Sequence, residues 1–289
     1  QGLFESSLRH AERGVDLYRP QHHSALAAYG DHPGVACHDW AALSLWFLGH
    51  PDEALARARE AMTLAEDPYN FYSLANARVQ FAVVHQLRRE PAQCEQWAAA
   101  TVSLSSRYGY HYRTGMGMIV GGWALAAQGQ TQEGLARLME GLEIVLGTGA
   151  EMDHAYFLGL LAEGYLFAGS PGETLKTVEH ALARIPEGRT FFYDAELHRL
   201  RGRAALDSSG DAAMASKAYR RAFEVAEAQN ARSLQLRAAM ALATLPDRSE
   251  EQGWALAELS RLYGQFRDGL ETPDLIEARA LLDAHSRSA

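Results

Sequence analysis

The sequence predicts an all-α fold in which helix pairs are stacked one after another into a solenoid. Small residues recur every 40 or 41 positions, which indicates copies of one structural unit. Within each interval, apolar residues follow the i, i+3, i+4, i+7 spacing of amphipathic helices. Alternating apolar runs, which are typical of strands, are absent. The recurring small residues, here called the anchors, are Ala54, Cys94, Gly134, Thr174, Ala215 and Ala255.

Each interval is predicted to hold two helices joined by a tight turn. In the first complete interval, one amphipathic helix spans about 36–48. Gly49 is expected to end this helix and Pro51 to begin the next, because proline is tolerated in the first turn. Pro91 and Pro171 stand in the same place, three residues before their anchors. We therefore expect the second helix of each pair to begin at this position.

Two segments predict capping boxes at helix starts. Ser170 stands three residues before Glu173, and Ser249 stands three residues before Gln252. In a capping box the serine side chain accepts a hydrogen bond from a backbone N–H, and the later side chain reaches back. We expect both bonds to form at these two positions.

The repeat register predicts a single solenoid domain over residues 1–289. It begins with a half repeat at 1–20 and an irregular linker at 21–34, and it ends with a capping helix at 272–285. A start in the middle of a repeat leads us to expect that the chain is part of a longer polypeptide. The complete repeats are expected at about 35–68, 69–107, 108–150, 151–188, 189–230 and 231–268.

The overall charge argues against several classes of partner. The chain has 27 Lys and Arg against 36 Asp and Glu, a net charge of −9, and such a surface repels phosphate backbones. We therefore expect no direct nucleic-acid binding. No apolar run approaches the roughly 20 residues of a membrane span, so no membrane partner is expected. Cys37 and Cys94 form no CxxC pattern, which suits a cytoplasmic location.

The sequence contains no recognisable catalytic or cofactor motif. A phosphate-binding GxxxxGK[ST] segment is absent, and Gly115 and Gly117 lack the third glycine of a dinucleotide site. No nucleophile motif or acid/base pair at helical spacing occurs. We therefore expect no catalytic residue and no cofactor, and we expect that the chain is not an enzyme.

A group of possible metal ligands falls in the expected linker and just after it. Imidazole, thiolate and carboxylate groups all bind metals, but the spacing here matches no zinc pattern. A loop also exposes polar residues without any metal, so no metal site is predicted. The residues are His22, His23, His32, Cys37, His38 and Asp39.

The anchors resemble those of a known repeat family. Ala215, Tyr219 and Ala222 have the spacing Ala-x3-Tyr-x2-Ala, and Pro186 follows Thr174 by twelve residues. This pattern resembles the tetratricopeptide repeat (TPR), although a period of 40 residues is longer than the usual length of about 34. The resemblance implies a right-handed superhelix built from TPR-like helix-turn-helix units.

The chain also resembles the carboxy-terminal repeat region of large bacterial regulators. Those proteins carry an ATPase module together with a class III adenylate cyclase-like or DNA-binding domain. The resemblance implies a sensing or partner-docking arm, with the chemistry in other domains. The segments that carry it are 31–55, 195–206, 218–243 and 263–284.

The TPR resemblance also implies a binding surface. In such arrays the first helices line a concave groove, and four positions of each first helix face inward. Arginines in the carboxy-terminal part, Arg201 included, could bind a carboxylate or phosphate, or they could pair with Glu196 and neighbouring acids. Trp46 and Trp123 could equally belong to the core. The implied groove residues are Asp39, Trp46, Asn76, Gln86, Met116, Trp123, Tyr156, Glu163, Glu196, Arg199, Arg203 and Arg237.

Aromatic residues cluster where several first helices begin. Tyr72, Tyr112 and Tyr193 each precede an anchor by 22 residues, so they are expected along one edge of the array. They could pack between repeats, or they could form a rim that grips a partner, since tyrosine gives a large contact area at low entropic cost. The neighbouring rings are Tyr69, Phe71, Tyr108, Tyr110, Tyr156, Phe157, Phe191 and Phe192.

These observations predict a non-catalytic module that recognises a protein or peptide and regulates a larger ATP-dependent signalling or transcriptional regulator. Stacked repeats suit this role because they build an extended concave surface. The alternative is a sensor domain that binds a small metabolite in the groove. An enclosed pocket with converging polar groups would favour the sensor, and a long open groove would favour peptide binding.

Overall fold

The computed structural model describes residues 2–19, 32–66, 70–151, 153–185, 191–246 and 250–287. These residues form helices and turns without a strand, so the predicted all-α class is confirmed. Most of the expected linker at 21–34 lies outside the described residues. His22, His23, Tyr69, Pro186 and Ser249 also lie outside them.

Fourteen helices occur in the described part of the chain. In chain order they are α1 (Phe4–Leu17), α2 (Pro33–Phe47), α3 (Pro51–Ala65), α4 (Phe71–Leu87), α5 (Pro91–Tyr108), α6 (His111–Ala127), α7 (Thr131–Gly147), α8 (His154–Phe167), α9 (Pro171–Ala183), α10 (Asp194–Ser209), α11 (Ala212–Ala228), α12 (Arg232–Ala243), α13 (Glu250–Tyr263) and α14 (Pro273–Ser286).

The helices from α2 to α13 form successive antiparallel-type pairs, each with a first helix of even number and a second of odd number. From α4 onward the two members of each pair pack against each other. Even-numbered helices also touch one another in two separate sets: α4 touches α6, and α8, α10, α12 and the last helix α14 follow one another in contact. Each set therefore forms a face of its own, here called the first-helix face of that part of the chain.

The chain divides into two compact units. The amino-terminal unit contains residues 5–46 and 51–152. The carboxy-terminal unit contains residues 153–289 together with 1–4 and 47–50. The predicted boundaries of the single domain and of its repeats stay a prediction.

The anchors lie where the two helices of a pair approach most closely. Each is buried, and five of them are the fourth residue of a second helix. Between α6 and α7, for example, a Cβ atom on Gly134 would lie 2.5 Å from the carbonyl oxygen of Gly122. Only a very small residue fits at such a point, which explains why the anchors stand out in the sequence.

The turns inside the pairs follow the sequence signals. Pro51, Pro91 and Pro171 begin α3, α5 and α9, as predicted. Gly49 precedes α3 with φ of 90°, a left-handed conformation that glycine adopts without steric cost. In the pair α4–α5 this place is taken by Arg89, which has φ of 59°.

The predicted capping box at Ser170 is wrong in its hydrogen bonds. Ser170 is the N-cap of α9, but its side chain makes no capping bond. Its carbonyl oxygen instead accepts hydrogen bonds from the backbone N–H groups of Glu173 and Thr174, both at 3.1 Å. Proline at the first helical position removes one unsatisfied donor, and backbone bonds satisfy those of Glu173 and Thr174.

Candidate partner-binding surfaces

Two arginines that the sequence placed in the groove, Arg199 and Arg237, are engaged by acids of the carboxy-terminal unit. The guanidinium of Arg199 donates three hydrogen bonds of 2.7 to 3.0 Å to the carboxylate of Glu196, one turn earlier on α10. It also lies 3.6 Å from Glu163 of α8. The intramolecular pairing that the sequence left open is therefore present in the structure.

A second arginine extends this pairing to the last helix. Arg237 of α12 is buried and donates a hydrogen bond of 2.8 Å to Asp274 at the start of α14. It also lies 3.7 Å from Glu196, whose side chain is 1% exposed. We call the set Glu163, Glu196, Arg199, Arg237 and Asp274 the ion-pair network. It connects α8, α10, α12 and α14.

The network controls the ionisation of its members. Burial disfavours the charged form of Glu196, but Arg199 and Arg237 outweigh that cost and lower the pKa of its carboxyl. Burial likewise opposes the charge on Arg199, yet Glu196 and Glu163 raise the pKa of the guanidinium. Each charge in the network is therefore held by opposite charges around it, and the unit has satisfied these groups without a partner.

The remaining arginines of α10 are also paired. Arg201 lies 2.8 Å from Glu179, and Arg203 lies 2.7 Å from Asp207. Arg203 is the most accessible of the predicted groove residues, with 57% of its side chain exposed.

Tyr156 of α8 is the predicted groove residue of the carboxy-terminal unit that has an aromatic side chain. It is buried, and its ring meets that of Tyr193 edge-to-face with 5.0 Å between centroids.

The predicted groove residues of the amino-terminal unit are buried. Asp39 of α2 accepts a hydrogen bond of 2.9 Å from the side chain of Asn76 of α4. The two tryptophans occupy core positions, with exposures of 2% and 3%. A ligand role for these residues stays a prediction. The buried set is Asp39, Trp46, Asn76, Gln86, Met116 and Trp123.

Aromatic rings near the starts of α4 and α6 are more accessible. Phe71 stacks on Tyr108 with 4.6 Å between ring centroids, and Tyr108 stacks on Tyr110 at 5.9 Å. Tyr110 meets Tyr72 edge-to-face at 5.1 Å. Tyr108 is 38% exposed and the others are half-buried. We call Phe71, Tyr72, Tyr108, Tyr110 and Tyr112 the aromatic rim.

The rim holds an arginine that the sequence reasoning missed. The Cζ atom of Arg113 lies 5.4 Å from the ring centroid of Tyr72 and 5.3 Å from that of Tyr112. Its Nη1 lies 3.4 Å from the sulfur of Met116, and its Nε is buried without a hydrogen-bond partner. Among the described residues, no acid forms an ion pair with it. Its positive charge instead faces the rings of Tyr72 and Tyr112 in cation–π contacts.

The local sequence explains why Arg113 has no acidic partner. No Asp or Glu occurs between Glu95 and Glu133, and none occurs within α4. In a chain with net charge −9, a gap of this length is a signal that could have identified the region. The first-helix face of α4 and α6 therefore carries arginine without carboxylate, in contrast to α8, α10, α12 and α14.

An open cavity of about 450 Å³ lies between the second helices α11 and α13. The guanidinium of Arg220 lies 3.6 Å from the ring centroid of Trp254 and donates hydrogen bonds to Glu251. Arg261 pairs with Glu258 at 2.6 Å. Both arginines in this wall are thus engaged within the chain, and the cavity lies outside the first-helix face.

The possible metal ligands of the linker region have separate partners. The Nε2 atom of His32 lies 2.9 Å from the hydroxyl of Tyr18. His38 lies 3.2 Å from Glu60, and Asp39 bonds Asn76 as described above. Cys37 is a free thiol that is half-buried. His22 and His23 lie outside the described residues, so the prediction about this group stays a prediction.

Within the described residues, the helices are too short or too polar to span a bilayer.

No protein-family model matches the chain. The chain is 28% identical over 213 residues to an uncharacterized protein of Rhizobium meliloti (strain 1021). That match covers 73% of this chain and 20% of the relative, so the chain spans about one fifth of the length of the curated relative that it matches.

Two solved structures are similar over most of the chain. The Rap conjugation gene regulator of plasmid pLS20, in complex with the Phr* peptide, is 13% identical with a TM-score of 0.62, over 91% of this chain and 78% of the regulator. The fold is a TPR-like helical repeat. BtubC (BKLC) from P. vanneervenii is 16% identical with a TM-score of 0.52, over 78% of this chain and 92% of BtubC. At such identities the similarity establishes the fold alone.

Proposed function

We propose that this TPR-like chain is a non-catalytic module that recognises a protein or peptide through the first-helix face of its amino-terminal unit. The aromatic rim is the observation that carries this proposal. Five aromatic side chains lie next to one another there, and they keep part of their surface exposed. Aromatic residues and arginine are enriched in protein interfaces: the rings give contact area at low entropic cost, and the guanidinium gives a planar fork of donors.

The proposal assigns the two units different roles. The carboxy-terminal unit holds Arg199 and Arg237 in ion pairs with its own acids, so these two groups are already satisfied. The rim keeps partly exposed rings and an arginine whose Nε–H has no hydrogen-bond partner within the described structure. A solved neighbour, the Rap regulator, was determined with a peptide. That fact is consistent with peptide recognition by the same fold class.

We further propose that the chain is a regulatory arm of a larger ATP-dependent signalling or transcriptional regulator in the cytoplasm. Two observations support this context. The sequence resembles the carboxy-terminal repeat region of such regulators, and the curated relative is about five times the length of the matched part. The partner in that case could be another domain of the same polypeptide.

Selection of displayed random peptides on the purified chain tests the recognition role. We expect selected peptides to lose about tenfold in affinity when Tyr108→Ala and Tyr110→Ala are combined, because each removes the contact of an exposed or partly exposed ring. Phe167→Ala is the matched control, since Phe167 is 45% exposed and lies on α8 in the other unit. Equal effects of the two variants, or no selected peptide, would contradict the proposal.

A further inference from the structure

The guanidinium of Arg113 has an N–H donor that no acceptor of the protein satisfies. A guanidinium has five N–H donors. In Arg113 the Nε–H is buried without a partner, and Nη1 faces the Met116 sulfur at 3.4 Å. A thioether is a weak acceptor. In Arg199, by contrast, both Nε and Nη2 donate to the Glu196 carboxylate at 2.7 to 3.0 Å.

We infer that the partner presents an acidic peptide segment, and that one of its carboxylates binds the guanidinium of Arg113 between Tyr72 and Tyr112. This inference rests on the proposed recognition function and names the chemistry of the partner. The carboxylate fits because its two oxygens match the planar fork of the guanidinium. The flanking rings, at 5.4 and 5.3 Å from the Cζ atom, attract the guanidinium and help to hold it in place.

The charges around the site favour an anion. Helices α4 and α6 touch each other and contain arginine but neither aspartate nor glutamate. Arg107, at the end of α5, lies over the ring of Tyr108 with 5.7 Å to its centroid and adds a second positive charge at the rim. On the neighbouring helix α2, the carboxylate of Asp39 accepts a hydrogen bond from Asn76.

The overall charge separates an acidic peptide from a nucleic acid. The phosphates of a nucleic acid would place negative charges along a wide surface of a chain whose own net charge is −9. The repulsion between these like charges opposes binding. A short acidic segment needs to contact only the local positive rim. Attraction between them should weaken as salt is added.

Fluorescence anisotropy with defined peptides and the full 289-residue chain tests the inference. One labelled peptide of about twelve residues alternates glutamate with serine, and its counterpart has glutamine in place of glutamate. Both have blocked ends, so that side chains supply the only carboxylates. We expect the glutamate peptide to bind about tenfold more tightly, because charge-assisted hydrogen bonds are roughly twice as strong as neutral ones.

Two variants of equal charge change separate the site from general electrostatics. Arg113→Gln should weaken the glutamate peptide about tenfold and leave the glutamine peptide unchanged. Arg107→Gln also removes one positive charge at the rim, and it should change the affinity by about twofold, since exposed charges contribute little. Circular dichroism checks that both variants fold. Arg113→Lys keeps the charge without the fork and should give an intermediate loss.

Several results would overturn the inference. They are equal binding of both peptides, equal effects of Arg113→Gln and Arg107→Gln, or tighter binding of a phosphoserine peptide or an oligonucleotide through Arg113. If displayed peptides bind at the rim but are neutral and insensitive to Arg113→Gln, recognition stands and the acidic partner is wrong. If no peptide binds at the rim at all, both the recognition function and the acidic partner are wrong.

Discussion

The two units use the same helix-pair fold, but they treat charge on the first-helix face in opposite ways. In the carboxy-terminal unit, Arg199 and Arg237 are surrounded by acids from α8, α10 and α14. In the amino-terminal unit, Arg113 lies between two tyrosine rings with no acidic partner among the described residues. Arginine on this face is thus a structural element in one unit and an available binding group in the other.

The comparison also shows two ways of holding neighbouring helices together. In the amino-terminal unit, α6 and α7 approach through glycines, so that backbone touches backbone at Gly122 and Gly134. In the carboxy-terminal unit, buried ion pairs connect α8, α10, α12 and α14. The units should therefore respond to different substitutions.

The largest effect is expected from Glu196→Gln. The glutamate is 1% exposed and faces Arg199 and Arg237. Loss of its charge removes the acid that the two guanidinium groups share and leaves them only Glu163 and Asp274, which should lower the free energy of unfolding by about 3 kcal/mol. Urea unfolding followed by circular dichroism measures it. The control Glu173→Gln removes an exposed acid and should change little; equal effects would contradict a buried network.

A smaller but clear loss is expected from Gly134→Ala. The added methyl would lie 2.5 Å from the carbonyl oxygen of Gly122 and 2.7 Å from the backbone nitrogen of Ala126. Backbone must shift to accommodate it, at a cost of about 2 kcal/mol. Gly172→Ala is the control, since no atom lies within 4 Å of its added Cβ. Thermal unfolding should separate the two, and equal melting temperatures would show that α6 and α7 are not so close.

The smallest effect on stability is expected from Asp194, and it depends on pH. Burial raises the pKa of Asp194 to about 6, although a hydrogen bond from the Phe191 backbone N–H acts in the opposite direction. A raised native-state pKa means that the acid stabilises the fold below its ordinary pKa of 3.8, and that this stability is lost as pH rises through about 6.

Asp194→Asn should therefore stabilise the protein by about 1 kcal/mol at neutral pH, with the gain disappearing near pH 4. The asparagine side-chain oxygen can still accept the bond from Phe191. Melting temperatures of both proteins across this range measure the effect. A gain that is independent of pH would show that the carboxyl does not titrate as expected.

The helix pairs were predictable from sequence because they depend on local signals. Anchors and first-turn prolines mark positions where side-chain size or a missing N–H is decisive, and these positions repeat. The pairing of Arg199 with Glu196 follows from a spacing of three residues on one helix. The contact of Arg237 with Asp274 spans 37 residues, and helix periodicity alone does not determine it.

The candidate site was less predictable for a physical reason. The repeat register indicates which side of a first helix faces the groove, but it does not give the gap between adjacent helices. Gln86 and Trp123 were placed on that face and are buried. Arg113 was missed because the register favoured Met116, one turn later. The absence of acids between Glu95 and Glu133 was the available signal, and only the structure shows the rings that surround the arginine.

The most direct test compares one arginine from each unit in the same binding measurement. The glutamate peptide is titrated against Arg113→Gln and against Arg203→Gln, an exposed arginine of α10 that pairs with Asp207. We predict that Arg113→Gln weakens binding about tenfold and that Arg203→Gln leaves it within about twofold. The reverse order, or equal losses, would contradict the assignment of recognition to the amino-terminal unit.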